Sequence, residues 1–446
     1  MRYIPHTQDE VGQMLKAVGF EKIDALFTGI PSKLKLNRQL DLPAALDEES
    51  LARLLYDLAA DNPAAGMASF IGAGAYAHHV PAAVDQLLQR GEFFTAYTPY
   101  QPEVSQGTLQ AIFEYQSMIA ELFGCQVVNA SMYDGATAAA EALLMARRIM
   151  RKRPKTLVAR SNHPEVRAVC ETYLSELEPR PEEIPMTNEG VCDLDALEAM
   201  LSDEVAAVLV QQPNALGCLE DLPRIADIVR RASALLVVEV LEPFSLGLLE
   251  APAKLGADIV CGEGMSLGSG LNFGGPGLGL FGCSMKHAWQ MPGRLVGETT
   301  DDRGRRGYVL TMSSREQHIR RARATSNICS NEGLCALAAA IHLSLLGKRG
   351  FVKLAEINAA NARAACDRLS SLPGVTRAFE TPFFNEFTLR LSGDPEAALS
   401  RLESRGILGG IALGRFYPEF DDCILVCVTE LNSASQLEDL ASGLES

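Results

Sequence analysis

Residues Asp258 to Gly279 read D-I-V-C-G-E-G-M-S-L-G-S-G-L-N-F-G-G-P-G-L-G. The stretch opens as a short apolar strand, predicted over Ala257 to Cys261, and becomes a loop with seven glycines between Gly262 and Gly277. That density of glycine marks special backbone angles or close approach to another group. A glycine-rich loop after a strand suits a cofactor seat, and in one class of enzyme it carries a lysine that forms an imine with the cofactor. No lysine lies in this loop: Lys254 precedes the strand and Lys286 falls well beyond the loop.

Outward from this stretch, between Thr108 and Phe281, helical and short apolar segments alternate. Helices are predicted over Leu109 to Phe123, Asp134 to Met150 and Leu222 to Arg231. Strands are predicted near Val127 and over Thr156 to Ala159, Val205 to Gln211, Leu235 to Val240, Ala257 to Cys261 and Leu278 to Gly282. Such alternation means βαβ units and a mostly parallel sheet covered on both faces. A ligand crevice is then expected beyond the carboxyl ends of the strands. Two long helices follow, Asn331 to Leu346 and Phe351 to Ser370. The tail reads strand Phe387 to Leu391, helix Pro395 to Arg405, strand Ile424 to Val428 and helix Ser435 to Leu444, a small α+β lobe.

Before the alternating region the chain begins with an arm. Thr7 and Glu10 form a capping box ahead of Val11, Met14, Leu15 and Val18 at helical spacing, and Asp47 caps a second amphipathic run through Leu51, Leu54, Leu55 and Leu58. The expected division is a helical arm over residues 1–65, a large α/β domain over 66–330 and a small α+β domain over 331–446.

The totals exclude several classes. With 446 residues and 47% apolar content the chain can bury a large core, and a net charge of −16 argues against nucleic acid or an anionic membrane as partner. The 11 cysteines are an odd count without a C-x-x-C pair, so neither a disulfide frame nor a structural zinc site is expected. The N-terminus lacks a signal-type apolar core, and Gly333 to Leu346, interrupted by His342, is too short to span a bilayer. A soluble, cytoplasmic protein is the expectation.

Two passages stand out on loops. From Tyr97 to Gly107, the side chains of Tyr97, Thr98, Tyr100, Gln101, Ser105 and Gln106 sit on a proline- and glycine-punctuated backbone, which is where functional groups gather; a packing loop is the alternative. Arg315, His318, Arg320, Arg321 and Arg323 form a basic run in an acidic chain, read for most of them as a solvated helix face, with an acidic partner or a phosphate as the alternative. The adjacent His78 and His79 are read as one packed and one exposed, since no third metal ligand lies at a telling spacing.

Several stretches together resemble a known family. T-P-Y-Q-P-E-V-S-Q-G (Thr98 to Gly107), N-A-S-M-Y-D-G-A-T-A-A-A-E-A (Asn129 to Ala142), M-P-G-R-L-V-G-E-T (Met291 to Thr299), R-E-Q-H-I-R-R (Arg315 to Arg321) and A-T-S-N-I-C (Ala324 to Cys329) are similar, in this order, to the P-protein of the glycine cleavage system. The length resembles the first subunit of the form that is split into two chains. The resemblance implies the pyridoxal-phosphate fold of the aspartate-aminotransferase type, fold type I, in an assembly with two copies of each subunit. It also implies that the second subunit carries the imine-forming lysine and the pyridoxal phosphate, and that the lipoyl arm of the H-protein is a partner.

In this chain the lysine position falls at or near Ser266, and serine cannot form the imine. The helix that would receive the cofactor phosphate opens with Asp134, whose carboxylate competes with an anion there. The strand that would carry the pyridine-nitrogen partner offers Glu239 and Glu242, and the sequence leaves open which of them, if either, faces the crevice. No covalent chemistry is then expected here. The residues expected to reach the partner's site are Tyr97, Thr98, Tyr100, Gln101, Ser105 and Gln106, with Thr325, Ser326 and Asn327. The other readings are a scaffold or regulatory pseudoenzyme, or an independent enzyme using Lys254 or Lys286.

Overall fold

In a computed structural model, which describes residues 5–445, the chain forms two compact units, Met1–Pro63 and Ala64–Ser446. The first unit holds helices α1 (Gln8–Ala17) and α2 (Glu48–Ala60). Both begin where the caps predict: Thr7 and Glu10 satisfy each other's backbone N–H groups, and Asp47 accepts from the Ser50 amide at 2.8 Å. Of the apolar stripe on α1 only Leu15 is buried, and Leu51, Leu54, Leu55 and Leu58 of α2 are exposed.

The second unit is built on a seven-stranded sheet. Its strands are β1 (Val127–Val128), β2 (Lys155–Ala159), β3 (Glu182–Ile184), β4 (Val205–Gln211), β5 (Leu235–Val240), β6 (Ile259–Glu263) and β7 (Gly279–Cys283), in the order β1-β7-β6-β5-β4-β2-β3. Only β7 runs antiparallel to its neighbours, so the sheet is mostly parallel as expected. Helices α3 (Gln106–Phe123), α4 (Gly135–Ile149), α5 (Pro164–Leu174), α6 (Leu222–Arg231) and α7 (Gly333–Ser370) cover it.

The two-residue period of the strands sorts the core. Val208, Val210, Leu236, Val238 and Val260 pack with Tyr115, Ile119 and Phe123 of α3 and with α6 and α7. Ala207, Leu209, Leu235, Val237, Ile259 and Cys261 face the other way, onto the alanine run of α4 and onto α5. Ala138, Ala139, Ala140 and Ala142 let α4 lie close against that face, which sets its N-terminus at the carboxyl ends of the strands.

A hairpin of β8 (Leu295–Thr300) and β9 (Arg306–Thr311) follows. The small antiparallel sheet is β10 (Val375–Arg377), β11 (Glu386–Leu391), β12 (Ile411–Ala412) and β13 (Cys423–Cys427), in the order β10-β11-β13-β12. The segment just after the arm joins this end of the molecule, because Ala68–Ser69 pairs in parallel with Ile407–Leu408.

Several details differ from the sequence reading. The hairpin and β3 were not expected; their outer residues alternate too little apolar surface to register as strands, as the exposed Thr299 and Thr300 show. Strand β6 starts two residues later than predicted and extends to Glu263, which turns a loop carboxylate into a strand-end residue. The two predicted long helices run on as α7 with one break, at Gly347 (φ 60°, ψ 174°). Its first half is a core helix: Cys335, Ala336, Ala339 and Ala340 pack against the sheet.

The basic run also needs correction at one place. Arg315 is buried rather than solvated, and its guanidinium donates to the carbonyls of Met291, Gly293 and Met312. A rigid fork of donors suits that task better than water would, since each carbonyl lies in an irregular segment without a ladder partner. His318, Arg320, Arg321 and Arg323 are exposed, as read.

Candidate functional site

At the carboxyl ends of β4, β5 and β6 the strands deliver Gln211, Glu239 and Glu263 towards the start of α4. Glu239 shares parity with Leu235 and Val237 and so faces α4, whereas Glu242 lies past the strand and accepts from His78 and Asn385. Of the two acids, Glu239 is thus the one that faces the start of α4. Glu239 is fully buried; Asn162 donates to one of its oxygens at 3.3 Å, and the other has no partner among the described residues. Burial first, and then the nearby Glu263 and Asp134 carboxylates, push its carboxyl up to about 8 despite the Asn162 bond.

The linkage has a definite sign. A folded value of about 8 against an ordinary value of 4.5 means that the group's contribution to stability is complete below about pH 4.5 and is lost as pH rises towards 8. Glu239→Gln is therefore expected to flatten the fall in stability across that interval. Urea midpoints measured near the two ends of the interval check this, and equal slopes for the two proteins would contradict it.

Ser266 sits in a single tight turn, Met265–Leu267, directly after β6. It is buried and its hydroxyl has no partner among the described residues. Asp134 caps α4, its Oδ1 accepting from the Thr137 amide at 2.7 Å and the Thr137 hydroxyl at 3.0 Å. Glu263 does more than the sequence reading foresaw. Its Oε2 accepts from the Gly135 amide at 2.9 Å, and its Oε1 from the amides of Met265 at 2.8 Å and Leu278 at 2.7 Å. Burial raises this carboxyl above the usual range, against the pull of the three amides.

The end of α4 is also crowded. A Cβ on Gly277 would lie 2.9 Å from Asp134 Cβ and 3.1 Å from Glu263 Oε2, and one on Gly135 would lie 3.0 Å from Glu263 Cβ. A phosphate does not fit this helix end as it stands, because carboxylates already take the amides that would hold it.

His163 and Asn162 were also missed. His163 precedes Pro164 at the start of α5; its Nε2 faces the Ala73 carbonyl at 3.0 Å and its Nδ1 accepts from the Glu165 amide at 3.3 Å, an arrangement for neutral imidazole. Burial keeps its pKa below the ordinary histidine value. The signal was present as S-N-H-P directly after a strand, but a single histidine before proline is a common helix start.

The loop residues gather around a residue the sequence reading did not single out. Arg294 is buried and donates to Thr98 Oγ1 at 3.3 Å, Tyr100 Oη at 3.1 Å, the Cys329 carbonyl at 2.7 Å, and Ser330 Oγ and Asn331 Oδ1 at 3.4 Å each. Its guanidinium also lies 5.4 Å from the Tyr100 ring centroid, and His318 meets the same ring at 5.7 Å. One buried cation thus ties the loop at Thr98 to the segment after Asn327. The Cys329 amide in turn donates to Tyr133 Oη at 3.2 Å, which brings that segment to the start of α4.

The other predicted residues divide. Gln106 is a structural pin: its amide group pairs with both the N–H and the carbonyl of Tyr308 on β9, as Gln116 does with Val296 on β8. Ser105 starts α3, its carbonyl accepting from Leu109. Thr325 donates its amide to the Arg315 carbonyl, and the Ser326 hydroxyl accepts from the Ile328 amide. Tyr97, Gln101 and Asn327 are exposed. The cleft beneath Tyr97 and Thr98, lined also by Phe93, Ser330 and Asn331, measures ≈ 160 Å³, too small for a cofactor-sized molecule.

A mostly parallel seven-stranded sheet with one reversed strand, helices on both faces and a small antiparallel C-terminal sheet define the fold of type I pyridoxal-phosphate enzymes. Glutamate decarboxylase of Lactobacillus brevis superposes with a TM-score of 0.69 at 14% identity, covering 92% of this chain and 94% of that one, a likeness of fold alone. The model of the glycine cleavage system P-protein family matches residues 1–444, and the chain belongs to that family. A probable glycine dehydrogenase (decarboxylating) subunit 1 of Desulforamulus reducens is 50% identical over 445 residues, covering 100% of this chain and 99% of the relative. One of Anaeromyxobacter dehalogenans is 50% identical over 449 residues and covers 100% of both. A crystal structure of glycine decarboxylase (P-protein) of the glycine cleavage system, in inhibitor-bound form, aligns with a TM-score of 0.91 at 44% identity, covering 100% of this chain and 99% of that one.

Proposed function

We propose that this chain is the lysine-free subunit of a glycine decarboxylase, paired with a second subunit that holds pyridoxal phosphate, two copies of each, in a soluble cytoplasmic complex that serves the lipoyl arm of an H-protein. Support comes from full-length similarity to subunit 1 proteins and from serine where the lysine is expected. The cofactor supplies the electron sink that lets glycine lose carbon dioxide. This chain binds and orients: the Tyr97 to Gln106 loop and Thr325 to Asn327 offer hydroxyls and amides to the partner's site across the subunit interface.

The observation that carries this reading is Arg294, which holds Tyr100 and the segment after Asn327 as one unit while Tyr97, Gln101 and Asn327 stay exposed at its rim. An independent enzyme is disfavoured by position, because Lys254 pairs with Glu250 at 3.1 Å and Lys286 with Asp258 at 3.5 Å, both on the surface. In complex reconstituted with the second subunit, Tyr100→Phe or Asn327→Ala is expected to lower kcat/KM by about tenfold or more, the loss of one positioned hydrogen bond. Unchanged turnover and cofactor affinity in an intact complex would leave these residues an interface role only.

A further inference from the structure

We propose that Glu263 is a built-in counter-anion, a carboxylate that occupies the phosphate position of this chain's own fold and closes it to anionic cofactors. This deepens the reading that the cofactor belongs to the second subunit, by naming what in this chain refuses it. In a phosphate site at a helix end, backbone amides from several segments converge on one anion. Here the first amide of α4, the amide of the turn that holds Ser266, and the amide at the entrance to β7 converge on one carboxylate group. Glu263 can reach all three because β6 runs on to place it at the strand end.

The surroundings retain the imprint of a site. The Ser266 hydroxyl and one Glu239 oxygen are both buried without a partner among the described residues. The surroundings are tight: a Cβ on Gly277 would lie 3.1 Å from Glu263 Oε2, and one on Gly135 would lie 3.0 Å from Glu263 Cβ. The carboxylate thereby fastens β6, α4 and the glycine-rich loop to one another, the work that a bound phosphate does in a loaded site. On this view Asp134 is an ordinary helix cap, and removing it alone opens nothing.

Three forms of the full chain test this, with inorganic phosphate and pyridoxal phosphate as probes and thermal unfolding and calorimetric titration as readouts. The wild type and Asp134→Ser, in which serine keeps the cap, are expected to show no shift with either probe. Glu263→Ala frees the three amides and is expected to be stabilised by phosphate, with affinity at least about tenfold above the wild type, equivalent to 1.4 kcal/mol. A phosphate-induced shift in the wild type or in Asp134→Ser would overturn the proposal, as would a folded Glu263→Ala that ignores phosphate. The Asp134→Ser comparison stands whether or not Glu263→Ala folds. These outcomes concern anion binding by this chain, so they are separable from turnover of the reconstituted complex, which tests the partner's cofactor.

Discussion

Replacing His78 by leucine is expected to lower the unfolding free energy by about 3–5 kcal/mol, the cost of removing one member of a buried ion pair. Both imidazole nitrogens face carboxylates at 2.9 Å, Nε2 towards Glu242 and Nδ1 towards Glu430, so the ring must carry both protons. Burial works against the charge, but the two carboxylates outweigh it and raise the His78 pKa to about 10. Every carboxylate oxygen is accounted for. Asn385 and the Phe244 amide complete Glu242, and Asn358 and the His79 amide complete Glu430. Leucine would leave two acids facing a pocket without a counter-charge.

The pH dependence follows from the two shifts. His78 lies above the ordinary histidine value of 6.5, so its contribution is complete below about pH 6.5 and fades as pH climbs through about 10. Glu430 is also pushed up by burial, but the bonds and charge of His78 prevail and hold it at about 2, so its contribution is complete above about pH 4.5 and fades as pH falls towards 2. The stability gap between wild type and His78→Leu should therefore be widest between about pH 4.5 and 6.5 and narrow on both sides. Denaturant midpoints across this range measure it; a gap independent of pH would mean that packing against Phe244, 4.6 Å between centroids, is all that His78 provides.

Gly262→Ala is expected to destabilise by at least about 3 kcal/mol and to reduce soluble yield sharply. Gly262 pairs with Val240 in the parallel ladder of β5 and β6, and an added Cβ would fall far inside van der Waals contact distance of the Val240 carbonyl oxygen. That oxygen belongs to the backbone of a central strand, which has no freedom to move aside. Gly274, in the same glycine-rich stretch, is the comparison: its φ of 96° disfavours alanine, but nothing lies within 4 Å of the new carbon. Gly274→Ala should then cost only about 1 kcal/mol. Similar losses at both positions would refute the close approach at Gly262.

His78 and Arg294 show where legibility in the sequence ended. Strands β4 and β5 and helix α6 fall where the pattern of apolar residues placed them, because each is a continuous buried run or a strongly amphipathic one. The edge strand β3 and the β8–β9 hairpin carry too little buried surface to leave a pattern. His78 could be read as the packed member of a pair, but its partners Glu242 and Glu430 stand 164 and 352 residues away. Arg294 looked like one residue of a motif, and its convergence on Thr98, Tyr100 and Cys329 spans loops that no local spacing connects.

Asp258 to Gly279 divides in the same way. From the sequence alone follow a strand, a glycine-rich turn, the absence of a lysine, and a serine at position 266, because these depend on residue identity and short-range geometry. Only the tertiary structure decided that the strand continues to Glu263 and that this carboxylate gathers amides from α4, the Ser266 turn and β7. The physical reason is one of range: backbone propensity is written within a few residues, whereas an anion's partners are chosen by which helix end the packed sheet brings to it.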